Sequence, residues 1–312
     1  MDEFDYIKNY FKPLTNSAAR ELKDDAAVYK PSLNKDIVIT TDSIVEGIHF
    51  FGFEDPKLIA QKALRVNLSD IASMGAKPLF YNLALNIPKS KVKKFIPKFV
   101  EGLKHDQLKY NISLIGGDLT SSLKHINITI TMFGHLPTGG AIPRDNVKNG
   151  DNLYVTGELG LSKIGLENFN SKSHLFLEAK KKYLLPEPRV ELGMLLRKFV
   201  NSMIDVSDGL VQDASHLAFN SDLSLELDIN SLPIPIFSNL ITKYIIDCAL
   251  YGGDDYELLF SCDPINEELL KKISSKKNIK ITKIGFFYES DDKKITFKNI
   301  NKKPKKISFK HF

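Results

Sequence analysis

Carboxylates recur in this sequence where apolar runs stop. Asp42 closes Ile37–Thr41, Asp118 closes Leu114-Ile-Gly-Gly, and Asp205 closes Ser202-Met-Ile. Asp208 follows in Val206-Ser-Asp-Gly209, and Asp25 comes just before Ala26-Ala-Val-Tyr29. One such Asp is ordinarily a turn former or a helix cap. Several of them, in a chain of alternating strand and helix patterns, suggest ligands at strand ends, where α/β folds bind them. Oxygen donors from separate segments suit a hard divalent cation, and magnesium takes carboxylates, waters and substrate phosphates together. No Cys/His cluster is present, which argues against zinc or iron. The paired glycines at 116–117 and 252–253 free the backbone to approach a phosphate, and Thr120, Ser121 and Ser122 add small hydroxyls. The implied chemistry is metal-assisted handling of phosphates. The chain lacks a P-loop, a protein-kinase catalytic loop and a Gly-x-Ser-x-Gly elbow, which excludes those three routes.

Asp70 needs an element to hold it. Pro56 to Met74 reads as a helix, with Gly75 placed to end it. Leu64, Leu68 and Ile71 form its apolar stripe, and Asn67, Asp70 and Met74 share a neighbouring one. A lone Asp there would simply face solvent; beside the other carboxylates, Asp70 is expected to point at a shared ion. Strands are expected at Ile37–Thr41 (buried), Phe80–Ile87, Ser113–Ile115, His125–Phe133, Leu153–Thr156, Met203–Asp205, Leu223–Leu227 and Glu257–Phe260. Helices are expected at Lys91–Gln107, Gly160–Leu166, Val190–Val200, from about Leu210, and at Ile241–Leu250.

The 312 residues are enough for about two domains. Leu136–Gly150, dense in Gly, Pro and Asn, is the best junction, giving domains 1–137 and 138–312 of α/β or α+β type. Two short strings hint at duplication: Val66–Asp70 resembles Ile204–Asp208, and Gly116–Asp118 resembles Gly252–Asp254, at offsets of 138 and 136. The net charge of +5 is slight, and only five of the 43 cations are Arg, so a groove for nucleic acid is not expected. The lysines from Lys302 to Lys310 read as a solvated surface. Cys248 and Cys262 fit no metal or redox spacing and read as buried free thiols of a cytoplasmic protein. No signal peptide or membrane span is expected.

Five motifs occur in order: Thr40-Thr-Asp-Ser-Ile-Val-Glu-Gly-Ile-His-Phe50, Val66-Asn-Leu-Ser-Asp-Ile-Ala-Ser-Met-Gly-Ala-Lys-Pro78, Leu114-Ile-Gly-Gly-Asp118, Ile204-Asp-Val-Ser-Asp-Gly-Leu210 and Tyr251-Gly-Gly-Asp-Asp-Tyr-Glu-Leu259. This ordered set resembles the thiamine-monophosphate kinases, in the superfamily named for aminoimidazole ribonucleotide synthetase. The resemblance implies a fold of two α/β domains, the N-terminal one binding ATP and magnesium and pairing with a second copy across a shared β-barrel. It implies several magnesium ions held by Asp25, Thr40, Thr41, Asp42, Asp70, Asp118, Asp205 and Asp208, with Asp42, Asp70, Asp118 and Asp208 as the catalytic set. Tyr110, Gly117, Asp118, Arg144 and Ser207 would touch ATP, and His49, Asp254 and Phe312 would touch thiamine monophosphate. The partners implied are those two small molecules and a second copy of the chain, with no nucleic acid or membrane.

Two positions depart from the family pattern. Lys23 stands where Gly usually precedes the paired Asp, and Asp254 where Glu usually stands, one methylene longer. The implied reaction passes the γ-phosphoryl of ATP to an acceptor phosphate. Other readings are an ATP-using synthetase of the same superfamily and a non-catalytic nucleotide- or metal-binding descendant.

Overall fold

A computed structural model describes residues 3–22, 26–27, 29–237 and 242–299. The chain divides into two compact units, Met1–Ile71 with Ala76–Gly140, and Ala72–Gly75 with Ala141–Phe312. Asp25, Lys23, Phe312 and the lysines after 300 lie outside the described residues.

The first unit opens with the short helix α1 (Glu3–Tyr6) and further helical turns to Leu22. Its sheet holds β1 (Lys35–Val45), β2 (Lys77–Pro88), β3 (Ser113–Ser122) and β4 (Asn127–Pro137), in the order β1-β4-β2-β3. The crossover from β2 to β3 runs through α3 (Lys89–Tyr110), so these two strands pair in parallel, while β4 runs antiparallel to β1 and β2. As described, this is an open four-stranded sheet and not a closed barrel.

Helix α2 (Pro56–Ser73) is buried almost all round: Leu64, Leu68 and Ile71 are fully enclosed, and so is Asn67. Gly75, at φ +68°, ends it as its position in the sequence suggests. Gly102 brings α3 close to α2, because a Cβ there would lie 2.2 Å from the Lys57 carbonyl oxygen. Arg65 and Asp106 tie the two helices with a two-pronged buried ion pair, Nε to Oδ2 at 2.6 Å and Nη2 to Oδ1 at 3.0 Å.

Strand β1 corrects one expectation. It extends from Lys35 to Val45, so Asp42 lies inside it rather than at its end. It is also not buried on both faces, since Ile39 is 59% exposed. Strand β3 corrects another. It runs on through Gly116, Gly117 and Asp118 to Ser122, so Asp118 lies inside the strand rather than closing it. Gly117 is small because a Cβ would stand 2.0 Å from the Leu83 carbonyl oxygen of β2.

The second unit builds a six-stranded mixed sheet from β5 (Asn152–Thr156), β6 (Ser202–Asp205), β7 (Ser224–Asp228), β8 (Leu258–Cys262), β9 (Ile281–Tyr288) and β10 (Ile295–Lys298), in the order β10-β7-β9-β5-β8-β6. Among the described residues β10 and β7 pair in parallel and the other pairs of this sheet are antiparallel. Strands β5, β6 and β8 are wholly buried, which explains their unbroken apolar runs. Around the sheet come α4 (Leu161–Glu167), α5 (Leu177–Leu184), α6 (Val190–Leu196), α7 (Leu210–Asn220), α8 (Thr242–Tyr251) and α9 (Glu267–Lys277). Leu217, Leu225, Leu250, Leu259 and Phe287 are among the enclosed side chains of its core. Helix α6 stops at Leu196, four residues short of its expected end. Cys248 and Cys262 are buried free thiols.

The hint of duplication fails on placement. Val66–Asp70 is helical, whereas Ile204–Asp208 runs from a strand into a loop. Gly116–Asp118 is strand, whereas Gly252–Asp254 is loop. Among the described residues, no helix is long and apolar enough to cross a membrane.

Candidate active site

In the first unit, alternation along β1 puts Thr40 and Asp42 on one face and Thr41 on the other. Helix α2 meets the face of Thr40 and Asp42. The Thr40 hydroxyl donates to Asp70 Oδ2 at 2.5 Å, and the Asp42 amide donates to Asn67 Oδ1 at 3.2 Å. Asn67 and Asp70 are one helical turn apart, so they engage neighbouring positions of one strand. On the opposite face, the Thr41 hydroxyl is 3.0 Å from that of Thr131. Asp118 is exposed on the far edge strand β3, with β4 and β2 between it and β1. The structure therefore groups Thr40, Asp42 and Asp70, and leaves Asp118 and Gly117 apart from them within this sheet.

His49 lies in a loop that turns at Gly47 and Gly52, both at positive φ. Its Nδ1 accepts from the Val45 amide at 3.1 Å, and its carbonyl accepts from Lys62 Nζ at 3.2 Å. Glu54 anchors the far side of the loop by accepting from the Phe51 and Gly52 amides. Glu46 anchors the near side through Lys91 and the Ile126 amide. Burial would raise the Glu46 carboxyl, but these two partners hold it below the usual range. Tyr110 ends α3, with the Arg65 guanidinium 5.8 Å and the Lys109 ammonium 5.0 Å from its ring centre.

In the second unit, Asp205 ends β6 and is buried, while Ser207 and Asp208 follow in a partly buried loop before α7. A second loop, residues 252–257, lies against it. The Asp254 amide donates to the Ser207 carbonyl and the Tyr256 amide to the Val206 carbonyl, each at 2.8 Å. Gly253 permits this approach: its φ is +67°, and a Cβ would be 2.5 Å from the Ser207 oxygen. Asp254 and Tyr256 also sit at positive φ, and the Tyr256 hydroxyl donates to Asp254 Oδ1 at 3.0 Å. Arg144 is exposed in the segment before β5.

Three buried acids behind these loops escaped the sequence reading. Asp213, on α7, accepts from the amides of Ser207, Asp208 and Gly209. Burial, with Asp205 and Asp208 nearby, pushes its carboxyl up to about 8. Asp255 accepts from the Gly160 and Ser162 amides at the start of α4, and burial pushes it up to about 7. Glu257 is fully buried and takes Lys182, Arg189 and the Thr156 hydroxyl. Burial alone would raise it, but the two cations hold it below the usual range. The available signal was the alternation in Gly252-Gly-Asp-Asp-Tyr-Glu257: Asp255 and Glu257 turn inward, while Asp254 and Tyr256 stay partly exposed.

The donors fit magnesium. All are hard oxygens, and among the described residues no group of three His, Cys, Asp or Glu side chains forms a metal cage. Magnesium needs no such cage, because one or two carboxylates suffice when phosphates and water complete its octahedron.

Comparison with known proteins decides the family. The models for the N-terminal and C-terminal domains of AIR synthase related proteins match residues 23–136 and 148–298. Thiamine-monophosphate kinase of Buchnera aphidicola subsp. Schizaphis graminum is 37% identical over 333 aligned positions, covering 100% of this chain and 99% of its own. The chain belongs to the thiamine-monophosphate kinase family of AIR synthase related proteins. A solved thiamine-monophosphate kinase from Stenotrophomonas maltophilia K279a superposes with a TM-score of 0.83 at 33% identity, over 88% of this chain and 89% of its own. AaThiL complexed with AMPPCP and TMP superposes at 0.77 with 29% identity, over 93% and 91%.

Proposed function

We propose that this protein transfers the γ-phosphoryl group of ATP to thiamine monophosphate, giving thiamine diphosphate and ADP. The carrying observation is the match, along the whole chain, to a relative named thiamine-monophosphate kinase. The AaThiL complex adds that a structure of this fold takes AMPPCP and TMP.

The acceptor is a phosphate oxygen, already largely ionised at neutral pH because its second pKa is about 6. No general base is then required. The obstacle is repulsion between two polyanions, about 4 kcal/mol for each pair of unit charges 4 Å apart at an effective dielectric of 20. Magnesium supplies the neutralising charge and the alignment. In this reading Thr40, Asp42 and Asp70 of the first unit are assigned to magnesium, as are Asp205 and Asp208 of the second. Asp25, Thr41 and Asp118 complete the set assigned to the ions. Tyr110, Gly117, Arg144 and Ser207 are assigned to ATP, and His49, Asp254 and Phe312 to thiamine monophosphate.

With Val45 N–H held on Nδ1, a neutral His49 carries its proton on Nε2 and can donate it to an acceptor phosphate oxygen. Asp254 is oriented by the Tyr256 hydroxyl. Residues 1–137 would bind ATP and form a homodimer by closing a shared β-barrel, residues 138–312 would complete the site, and dependence on ATP assigns the protein to the cytoplasm.

The test is an assay of purified protein with ATP, magnesium and either thiamine monophosphate or thiamine. Thiamine diphosphate should form from the first, and thiamine should be a poor acceptor or none. Efficient phosphorylation of free thiamine, or ATP consumption without thiamine diphosphate, would overturn the reading.

A further inference from the structure

Residues 207–209 present three successive backbone N–H groups to one side. Such a concave run of donors is a ready anion site, and in a phosphate-handling protein it would be expected to take a phosphate oxygen. Here it is already filled. Asp213 Oδ2 accepts from Ser207 N at 3.1 Å, Asp208 N at 3.2 Å and Gly209 N at 3.1 Å. The Asp213 residue is only 2% exposed. The N-cap of helix α7 is Gly209, which has no side chain to cap with, so the Asp213 side chain, reaching back from the first turn, takes that role.

The same turn holds Asp208 directly: Gln212 Nε2 donates to Asp208 Oδ2 at 2.8 Å. From the other side, the Asp254 and Tyr256 amides hold the carbonyls of Ser207 and Val206. The loop is therefore clamped on its donors and on its acceptors. One consequence is chemical. With its amide committed to Asp213, Ser207 meets a nucleotide through its hydroxyl and not through its backbone N–H.

We propose that Asp213 and Gln212 are positioning residues for the phosphoryl transfer: the first turn of α7 fixes the backbone of 207–209 and the carboxylate of Asp208 in the geometry that receives magnesium-bound nucleotide. This rests on the kinase reading. Asp213 touches no reacting atom; it acts through Ser207 and Asp208. Burying an acid beside Asp205 and Asp208 is unfavourable for folding alone, which suits a residue retained for the loop it shapes.

The test compares the full-length parent with Asp213→Asn and Gln212→Ala. Melting is followed by circular dichroism, magnesium-dependent binding of AMPPCP by calorimetry, and kcat and both KM values by thiamine diphosphate formation. Gln212 is partly exposed, so its loss should not disturb the fold. Gln212→Ala is expected to raise the half-saturating magnesium for AMPPCP about tenfold and leave the KM for thiamine monophosphate within about twofold. Asp213→Asn is expected to raise both and to lower kcat on the order of a hundredfold, because the 254–256 backbone hangs on the same loop. A folded Asp213→Asn protein with magnesium half-saturation and kcat within twofold of the parent would overturn the proposal. If Asp213→Asn does not fold, Gln212→Ala decides: an unchanged magnesium requirement overturns it, and a raised one supports it. Should the parent bind AMPPCP but make no thiamine diphosphate, the kinase reading fails while the calorimetry still tests the clamp.

Discussion

Asp70 bears most directly on the chemistry of the first unit. It is the acidic member of a helix face whose other residues are enclosed, and it reaches β1 through the Thr40 hydroxyl. Replacing it with Asn keeps the volume and an acceptor for Thr40 but removes the charge. Asp70→Asn should leave the melting temperature near the parent's and lower turnover at limiting magnesium by on the order of a hundredfold. Near-parent turnover in a magnesium titration would refute a metal role for Asp70. His49 has a different task. Its Nδ1 is occupied by the Val45 amide, so only Nε2 can reach a ligand. His49→Ala should raise the KM for thiamine monophosphate more than that for ATP. Equal increases in steady-state assays would mean that the ring supports the 46–54 loop and does not meet the acceptor.

Among the elements, the sequence revealed most where burial is continuous and the ends are marked. Helix α2 was legible because its apolar spacing and terminal Gly75 agree, and β5 because it is buried on both sides. Strand β3 runs past its expected end at Ile115 because paired glycines carry no strand signal until the neighbouring strand is known: Gly117 answers to the Leu83 carbonyl across the sheet. Asp213, Asp255 and Glu257 were missed for a related reason. The partners of Asp255 and Glu257, Gly160 and Arg189, are fixed by tertiary contact, whereas Asp213 reaches back to the local amide of Gly209 only once the loop before α7 has its fold. The α2–α3 pair gives a testable case. Burial alone would raise the Asp106 carboxyl, but Arg65, Gln61 and His105 hold it below the usual range. A depressed carboxyl stabilises the fold above its unfolded pKa, about 4, and that contribution is lost as pH falls below it. Asp106→Ala leaves the Arg65 guanidinium buried without its carboxylate, a cost of about 3–5 kcal/mol at neutral pH. Urea unfolding should show that loss at pH 7 and a narrower gap between parent and variant near pH 3. A gap that is small at pH 7 or unchanged in acid would count against it.

For the whole molecule, the question is what covers the outer face of the first unit's sheet. One face carries Ile44, Ile128, Ile130 and Met132, all buried. The other carries Ile39, Thr41 and Ser43 opposite Phe133, Thr131 and Thr129, joined by hydroxyl pairs at 3.0 and 2.6 Å. The hydroxyl residues on this face tolerate water, yet Ile39 is 59% exposed at its centre. An open antiparallel strand with such a face is a surface that proteins ordinarily pair, cover or charge. Pairing with a second copy through this sheet would bury Ile39 and supply the homodimer proposed above. Ile39→Asp places a charge at that position while leaving the opposite face and α2 untouched. Light scattering should then give about twice 35.2 kDa for the parent and a mass falling toward one chain for Ile39→Asp at micromolar concentration. Circular dichroism should show the same melting of the monomer's own elements. A parent that is monomeric and fully active, or an Ile39→Asp protein that remains a dimer, would place the association surface elsewhere.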